Sequence, residues 1–102
     1  MVGRERKIVW DETPKQFFKE AIIYIRKSSS QNADKVKSEI LLAIRALVEF
    51  PEKHSPDKYK ANNVNAQFRA FVKFSLRVSY FVSKYQIRIV RIRHVKQLPE
   101  RY

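Results

Sequence analysis

Two stretches in the first half of the chain repeat their apolar residues at the spacing of an amphipathic helix. The first follows Thr13-Pro14-Lys15-Gln16, a predicted helix start in which Thr13 is the cap, Pro14 suits the first turn and Gln16 completes a capping box. Its apolar stripe consists of Phe17, Phe18, Ala21, Ile22 and Ile25. The second stripe, between a break at residues 28–32 and Pro51, consists of Ala33, Val36, Ile40, Ala43, Ile44 and Leu47. Two neighbouring amphipathic helices predict a helical hairpin.

Beyond a polar loop at residues 51–67, the period of the apolar residues changes to two, as in half-buried strands. Three strands are predicted, at residues 68–74, 76–83 and 86–94, and an apolar run at residues 7–10 suits a further strand before the helices. The short links favour an antiparallel meander. We therefore predict an α+β fold of order β-α-α-β-β-β, in which the helical hairpin packs on one face of an antiparallel sheet. The chain is one domain over residues 1–102, with residues 1–6 expected to be flexible.

Alternation along the strands assigns each side chain to one of two faces of the sheet. The face predicted to lie beneath the helices carries Phe68, Ala70, Val72, Phe74, Leu76, Val78, Tyr80, Val82, Val90 and Ile92. The opposite face is predicted to carry Arg69, Phe71, Lys73, Arg77, Ser79, Phe81, Ile87, Ile89, Arg91 and Arg93. Cations interleaved with phenylalanine rings suit a single-stranded nucleic-acid backbone with stacked bases. A face that is merely solvated, or one that binds an acidic protein, fits the same pattern.

The positive charge is concentrated in the last third of the chain. Residues 68–102 hold nine Lys or Arg and one acid, within a net charge of +12 for the whole chain. Such a charge indicates the kind of partner, which is nucleic acid, an acidic protein or an anionic membrane. A membrane is the least favoured, because no long basic amphipathic helix is present. A polar start to the chain and the lack of an apolar run near ~20 residues predict a cytoplasmic protein.

Composition also restricts the chemistry. The chain has no cysteine, which excludes disulfides, thiolate metal sites and cysteine nucleophiles. Its two histidines, His54 and His94, are forty residues apart and do not suggest a zinc site. Its single glycine, Gly3, excludes a glycine-rich phosphate loop. The sequence therefore predicts no metal and no cofactor.

The order of these elements and three motifs resemble the RelE/ParE superfamily of toxins from type II toxin–antitoxin systems. The motifs are Phe68-Arg69-Ala70-Phe71, Leu76-Arg77-Val78-Ser79-Tyr80 and Ile89-Val90-Arg91-Ile92-Arg93-His94. The resemblance implies a cognate antitoxin, a small acidic or DNA-binding protein that wraps the toxin and blocks it. It implies one of two activities: cleavage of mRNA in the ribosome, as in RelE-like members, or poisoning of DNA gyrase without nuclease activity, as in ParE-like members. A relative that only binds an antitoxin is the third alternative.

The leading hypothesis from the sequence is a ribosome-dependent mRNA endonuclease with a metal-free site. In RelE-like relatives, arginines on the central strands stabilise charge on the phosphate. Arg77 matches the most recurrent of these, and Arg69 is predicted to lie one strand earlier on the same face. His94 matches a histidine that acts as acid or base, and Tyr102 matches a tyrosine that stacks on a base or aids proton transfer. Alternation points His94 towards the helices, so a bulge near Arg91 is required to bring it beside Arg77. Further candidates for contact with RNA or the antitoxin are Lys73, Phe71, Phe81, Arg91, Arg93 and Lys96.

Overall fold

The computed structural model describes residues 6–97 and 100–102. The flexibility predicted for residues 1–6 concerns positions that lie outside this range, except for Arg6, whose Nε donates to the carbonyl of Ser83 at 2.8 Å. The elements are β1 (Lys7–Trp10), α1 (Glu12–Ser28), α2 (Ser30–Ala46), β2 (Phe68–Lys73), β3 (Leu76–Val82) and β4 (Gln86–His94). The predicted element order is therefore confirmed.

The four strands form one sheet in the order β1-β4-β3-β2. The predicted meander of β2, β3 and β4 is antiparallel throughout. The first strand, β1, differs from the prediction of a wholly antiparallel sheet because it pairs parallel to β4, with Lys7 opposite Gln86. Parallel neighbours need a long crossover, and here the helical hairpin, β2 and β3 lie between the two strands in the sequence. The fold is α+β with a mixed sheet.

The helical hairpin is tighter than the sequence predicts. Helix α1 begins after Asp11 rather than at Thr13, and Gln16 donates its side-chain amide to Glu20 at 2.9 Å instead of completing a capping box. Only Ser29 separates the two helices. The hydroxyl of Ser29 accepts a hydrogen bond from the main-chain N–H of Asn32 at 3.0 Å, which satisfies a free donor at the start of α2.

The core lies between the helical hairpin and one face of the sheet, here called the helix face. The predicted stripes supply the helical half of it, with Phe18, Ile22, Ala33, Val36, Ile40, Ile44 and Leu47 buried. Tyr80 is fully buried in the sheet half, and its hydroxyl donates to the carbonyl of Pro51 at 3.0 Å. Burial raises the pKa of Tyr80 to about 12, so its hydroxyl remains a donor at neutral pH.

The predicted faces of β2 are wrong by one residue. Directly opposed side chains of an antiparallel pair lie on the same face, and the register sets Phe71 opposite Val78, which is fully buried. Phe71 is therefore in the core, and Arg69 and Lys73 lie on the helix face with it. Lys73 confirms this side, because its Nζ is 3.6 Å from the Glu39 carboxylate of α2.

The error in β2 has a physical source. Both parities of this strand contain large apolar residues, with Phe68 and Val72 on one and Phe71 on the other. A one-residue shift moves every side chain of a strand to the other face, so one contact decides the whole set. In the structure Phe71 is the residue that enters the core, where the His54 ring stacks on it with ring centroids 4.8 Å apart.

A β-bulge in β4 corrects a second prediction. The register passes from Ser79 opposite Arg91 to Tyr80 opposite Ile89, which leaves Val90 as the extra residue. Before the bulge, Ile87 and Ile89 turn to the helix face, where both are fully buried, so their predicted place on the other face is wrong. After the bulge, from Arg91 to His94, each side chain lies on its predicted face.

Candidate functional site

A cleft lies on the side of the sheet away from the helices, here called the open face. Its floor is formed by Arg77 and Ser79 of β3 and by Arg91 and Arg93 of β4, and its volume is about 120 Å³. The register places Arg77 opposite Arg93 and Ser79 opposite Arg91, so all four side chains share this face. The walls are formed by Asp57, Lys58, Tyr59, Val72, His94, Val95, Gln97, Glu100 and Tyr102. We call this feature the cationic cleft.

A buried carboxylate organises the cleft. The Asp57 side chain is fully buried and accepts hydrogen bonds from Arg77 Nη2 at 2.9 Å, the Tyr59 main-chain N–H at 3.0 Å and the Tyr102 hydroxyl at 2.5 Å. Burial alone would raise the pKa of Asp57, but bonds from Tyr102, Arg77, Tyr59 and Ser79 together hold the pKa below its ordinary value. Asp57 is therefore ionised at neutral pH.

Asp57 reaches the open face because its loop passes around the edge of β2. On the helix side, Arg69 Nη1 donates to the carbonyl of His54 at 2.7 Å, and the His54 ring covers Phe71. At the edge itself, the Asp57 N–H donates to the carbonyl of Phe68 at 2.8 Å. The segment from His54 to Asp57 thus passes from the helix face to the open face, where Asp57 meets Arg77.

The positive charge of Arg77 is balanced by groups within the protein. Like charges directly opposite each other on neighbouring strands destabilise a sheet, and Arg77 faces Arg93 across the ladder. The ion pair with Asp57 offsets this repulsion, and the guanidinium also lies 4.8 Å from the centroid of the Tyr59 ring. The charge of Arg77 is therefore largely neutralised within the protein.

The positive charges of Arg91 and Arg93 are balanced less well than that of Arg77. Arg91 Nη1 donates to the main-chain oxygen of Glu100 at 2.6 Å, which is an uncharged acceptor. Arg93 Nε donates to the side-chain amide oxygen of Gln97 at 3.2 Å, and its ion pair with the exposed Glu100 carboxylate is long, at 3.7 Å. An exposed pair of this kind contributes little. The charges of these two arginines are therefore more available to a ligand than the charge of Arg77.

The structure does not bring Arg69 and Arg77 together. Arg69 lies opposite Tyr80 on the helix face and is bonded to His54, whereas Arg77 lies on the open face and is bonded to Asp57. The prediction that both arginines grip one phosphate is therefore wrong. Phe71 and Lys73 are also on the helix face, and Phe71 is buried, so neither forms the predicted surface with Arg77.

The other predicted residues have mixed placements. Phe81 is on the open face as predicted, 4.8 Å from Phe68 between ring centroids, and Arg91 and Arg93 line the cleft. His94 pairs with Leu76 on the helix face but, as the last residue of β4, still contributes to the cleft wall. The bulge at Val90 precedes His94 and does not turn it towards Arg77.

Two polar groups proposed for proton transfer are already engaged. His94 Nδ1 accepts from the main-chain N–H of Lys96 at 3.1 Å, and Lys96 itself is exposed. Burial, followed by the bond to Asp57, raises the pKa of the Tyr102 hydroxyl, so the phenol remains protonated and donates to that carboxylate. The catalytic roles of His94 and Tyr102 remain predictions.

Sequence reasoning missed Asp57, the residue on which the cleft depends. Asp57 belongs to a polar loop and has no periodic pattern around it. The one available signal is its setting, since it is the only acid between Lys53 and Lys60 in a stretch that holds three lysines. An isolated acid among cations indicates an ion pair, but it does not identify a partner twenty residues away.

The mixed sheet, the helical hairpin and the basic cleft define a small α+β protein with a cationic site on the open face. The model of the family described as the ParE toxin of type II toxin-antitoxin system, parDE, matches residues 8–99. The chain belongs to this family. No curated protein matches the chain. In residues 6–97 and 100–102, no helix is both long and apolar enough to cross a membrane.

Proposed function

We propose that this toxin poisons DNA gyrase without cleaving nucleic acid itself and that a small acidic or DNA-binding antitoxin blocks it. The observation that supports this activity most is the separation of Arg69 and Arg77 onto opposite faces of the sheet. The match to the ParE toxin family supports it independently.

The chemistry of RNA cleavage explains why this separation matters. Attack by a ribose 2′-OH requires a base, an acid and a stabiliser of the phosphate charge within hydrogen-bond reach of one another. In the described part of the chain, Arg77 and the Tyr102 hydroxyl both point to the same ionised carboxylate, that of Asp57. Their bonding capacity is thus directed into the protein, which favours a binding role over a catalytic one.

A ribosome-dependent mRNA endonuclease is the second candidate, and one observation favours it. His94, Arg91, Arg93 and Tyr102 all line the same cleft, so an acid or base and two cations do lie around one space. In this alternative Arg91 and Arg93 replace the predicted pair of Arg69 and Arg77 as the stabilisers of charge.

Two purified assays separate these activities. The toxin is incubated with gyrase, ATP and supercoiled plasmid, and the DNA is then denatured and deproteinised. Gyrase poisoning yields linear plasmid that depends on both gyrase and toxin. In parallel, the toxin is added to a translating extract, and the 5′ ends of the message are mapped. We expect linear DNA and an intact message; cuts within codons without linear DNA would establish the nuclease instead.

Induced expression tests whether the chain is active at all. In bacteria that lack the antitoxin, expression is expected to arrest growth, and co-expression of the antitoxin is expected to restore it. Growth that continues at wild-type rate despite accumulation of folded protein contradicts both activities. It would leave a relative that only binds an antitoxin.

A further inference from the structure

Residues 100–102 lie across the cationic cleft and are here called the strap. Two main-chain hydrogen bonds attach the strap to the loop that carries Asp57. The Tyr102 N–H donates to the carbonyl of Tyr59 at 2.9 Å, and the Ala61 N–H donates to the main-chain oxygen of Tyr102 at 2.5 Å. The strap is thus paired with the wall of the cleft as a short strand would be.

The side chain of Tyr102 forms part of the wall of the cleft and contacts cations there. The hydroxyl donates to Asp57, the Arg91 guanidinium lies 4.4 Å from the ring centroid, and the Lys60 Nζ lies 5.3 Å from it. Lys60 Nζ also donates to the main-chain oxygen of Tyr102 at 3.3 Å. A ring placed between two cations gains cation–π attraction.

Glu100 meets the remaining cations. Its main-chain oxygen accepts from Arg91 at 2.6 Å, and its carboxylate is 3.7 Å from Arg93. The strap therefore provides an aromatic ring, a carboxylate and carbonyl oxygens to Lys60, Arg91 and Arg93. Of these three cations, Arg91 and Arg93 line the cleft, where an anionic ligand would meet them.

We propose that the strap is a built-in competitor of the cationic cleft, so that an anionic ligand reaches Arg91 and Arg93 only after the strap is released. The mechanism is conformational and involves no covalent step. It goes beyond gyrase poisoning and holds whichever target the toxin has.

Release of the strap does not leave a buried charge without partners. When Tyr102 leaves, Asp57 keeps the ion pair with Arg77 and the hydrogen bond from the Tyr59 N–H. Glu100 and Arg101 are exposed, so the strap is held mainly by Tyr102. Segments with few buried contacts open at a small fraction of the global free energy of unfolding.

The first test measures competition with a polyanion probe. Binding of a fluorescein-labelled 12-nucleotide oligothymidylate is followed by anisotropy at ~0.1 M salt, where electrostatic binding is measurable. Tyr102→Ala is expected to bind about tenfold more tightly than wild type if the strap is open about a tenth of the time. The matched control is Tyr24→Ala, which removes an exposed tyrosine from α1 and is expected to bind like wild type.

Two results overturn the proposal in this assay. Equal or weaker binding by Tyr102→Ala shows that Tyr102 does not compete, and weaker binding makes it part of the binding surface. A failure of wild type and variant alike to bind shows that the cleft takes no anion. Neither result depends on gyrase, ribosomes or toxicity, so the inference and the proposed function fail separately.

The second test observes the strap itself by hydrogen exchange. The Ala61 amide is bonded to Tyr102, and its exchange therefore reports opening. We expect faster exchange at Ala61 in Tyr102→Ala, and also in wild type saturated with the oligothymidylate, while Ile89 in the core is unchanged. Unchanged or slower exchange at Ala61 in the saturated wild type means that probe and strap bind together, and it overturns the proposal.

Discussion

The two faces of the sheet are organised by different forces. On the helix face Val78, Tyr80, Ile87 and Ile89 are fully buried against the helical hairpin. On the open face the floor is formed by three arginines and a serine, and one buried carboxylate bonds to the groups around it. The first face depends on the exclusion of water, and the second on the direction of a few polar contacts.

This difference decides how each face tolerates change. Hydrophobic burial is non-directional and scales with the area removed from water, so many side chains share it. A polar network in a low-dielectric site fails when one member is removed, because the others remain without partners. The helix face therefore determines whether the chain folds, and Asp57 determines the shape of the open face.

The largest expected effect is on the helix face. Ile89→Ala removes buried methyl and methylene groups from a site with no exposure and is expected to cost about 4 kcal/mol in the free energy of unfolding. Val72→Ala, on the exposed part of the open face, is the matched control and is expected to change it by less than about 0.5 kcal/mol. Denaturant unfolding monitored by circular dichroism measures both. Similar losses in the two variants would contradict the division between the faces.

The next effect concerns the open face. Asp57→Ala leaves Arg77 and the Tyr102 hydroxyl without their common acceptor. Loss of one member of a buried pair costs 3–5 kcal/mol, and we expect about 3 kcal/mol because the Arg77 side chain is 22% exposed and regains water.

The control for Asp57 is another ion pair of the same types. Asp11 and Arg88 are separated by a similar distance, 3.0 Å, but both side chains are more than a third exposed. Asp11→Ala is expected to cost at most about 1 kcal/mol. If the two Asp→Ala variants lose equal stability, burial of the Asp57 carboxylate does not organise the cleft.

The fold was predictable because its signals are local and repeated. Helical stripes and period-two strands depend on residues within one element, and many positions in that element indicate the same secondary structure. The predicted assignment of side chains to the two faces of the sheet was wrong at two places, in β2 and before the bulge at Val90. In β2 the pairing register, and in β4 the bulge, places a whole set of side chains on the other face. The alternation of apolar and polar residues does not predict either feature.

The site was less predictable because its contacts join distant residues. Asp57 meets Arg77 across twenty residues and Tyr102 across forty-five. Alternation placed Arg77, Arg91 and Arg93 on one face correctly, since β3 and the end of β4 have clean patterns. No periodic signal connects these arginines to a loop acid or to a tyrosine outside the strands.

A smaller effect is expected at the hairpin that joins β2 to β3. Phe74 and Ser75 form a two-residue turn with φ of 51° and 66°, as in a type I′ turn. A left-handed conformation costs a bulky residue about 1–2 kcal/mol, whereas asparagine tolerates it. Phe74→Asn is expected to raise the free energy of unfolding by about 1 kcal/mol.

The control for the turn is Phe50→Asn, because Phe50 is exposed and does not have a positive φ. This variant is expected not to be stabilised. A gain in Phe50→Asn equal to that in Phe74→Asn would indicate that loss of surface hydrophobicity, and not relief of backbone strain, explains the result.

The smallest effect is a dependence on pH that distinguishes the two faces. Burial, followed by the nearby charge of Lys53, lowers the pKa of His54 below its ordinary value of 6.5. The unfolded chain then binds a proton at a higher pH than the folded chain does. The free energy of unfolding therefore falls as pH decreases below 6.5, and the loss is complete below the folded pKa.

Asp57 titrates in a separate window. Its pKa is lowered from an ordinary value of 3.8, so its contribution is lost only as pH falls below that value and through the folded pKa. The difference in the free energy of unfolding between pH 7.5 and pH 5.0 thus reports on His54 and not on Asp57. His54→Phe, which keeps a ring over Phe71, is expected to lose the difference that wild type shows between these two values, and Asp57→Asn is expected to retain it. An identical pH dependence in wild type and His54→Phe would show that His54 does not couple protonation to the core.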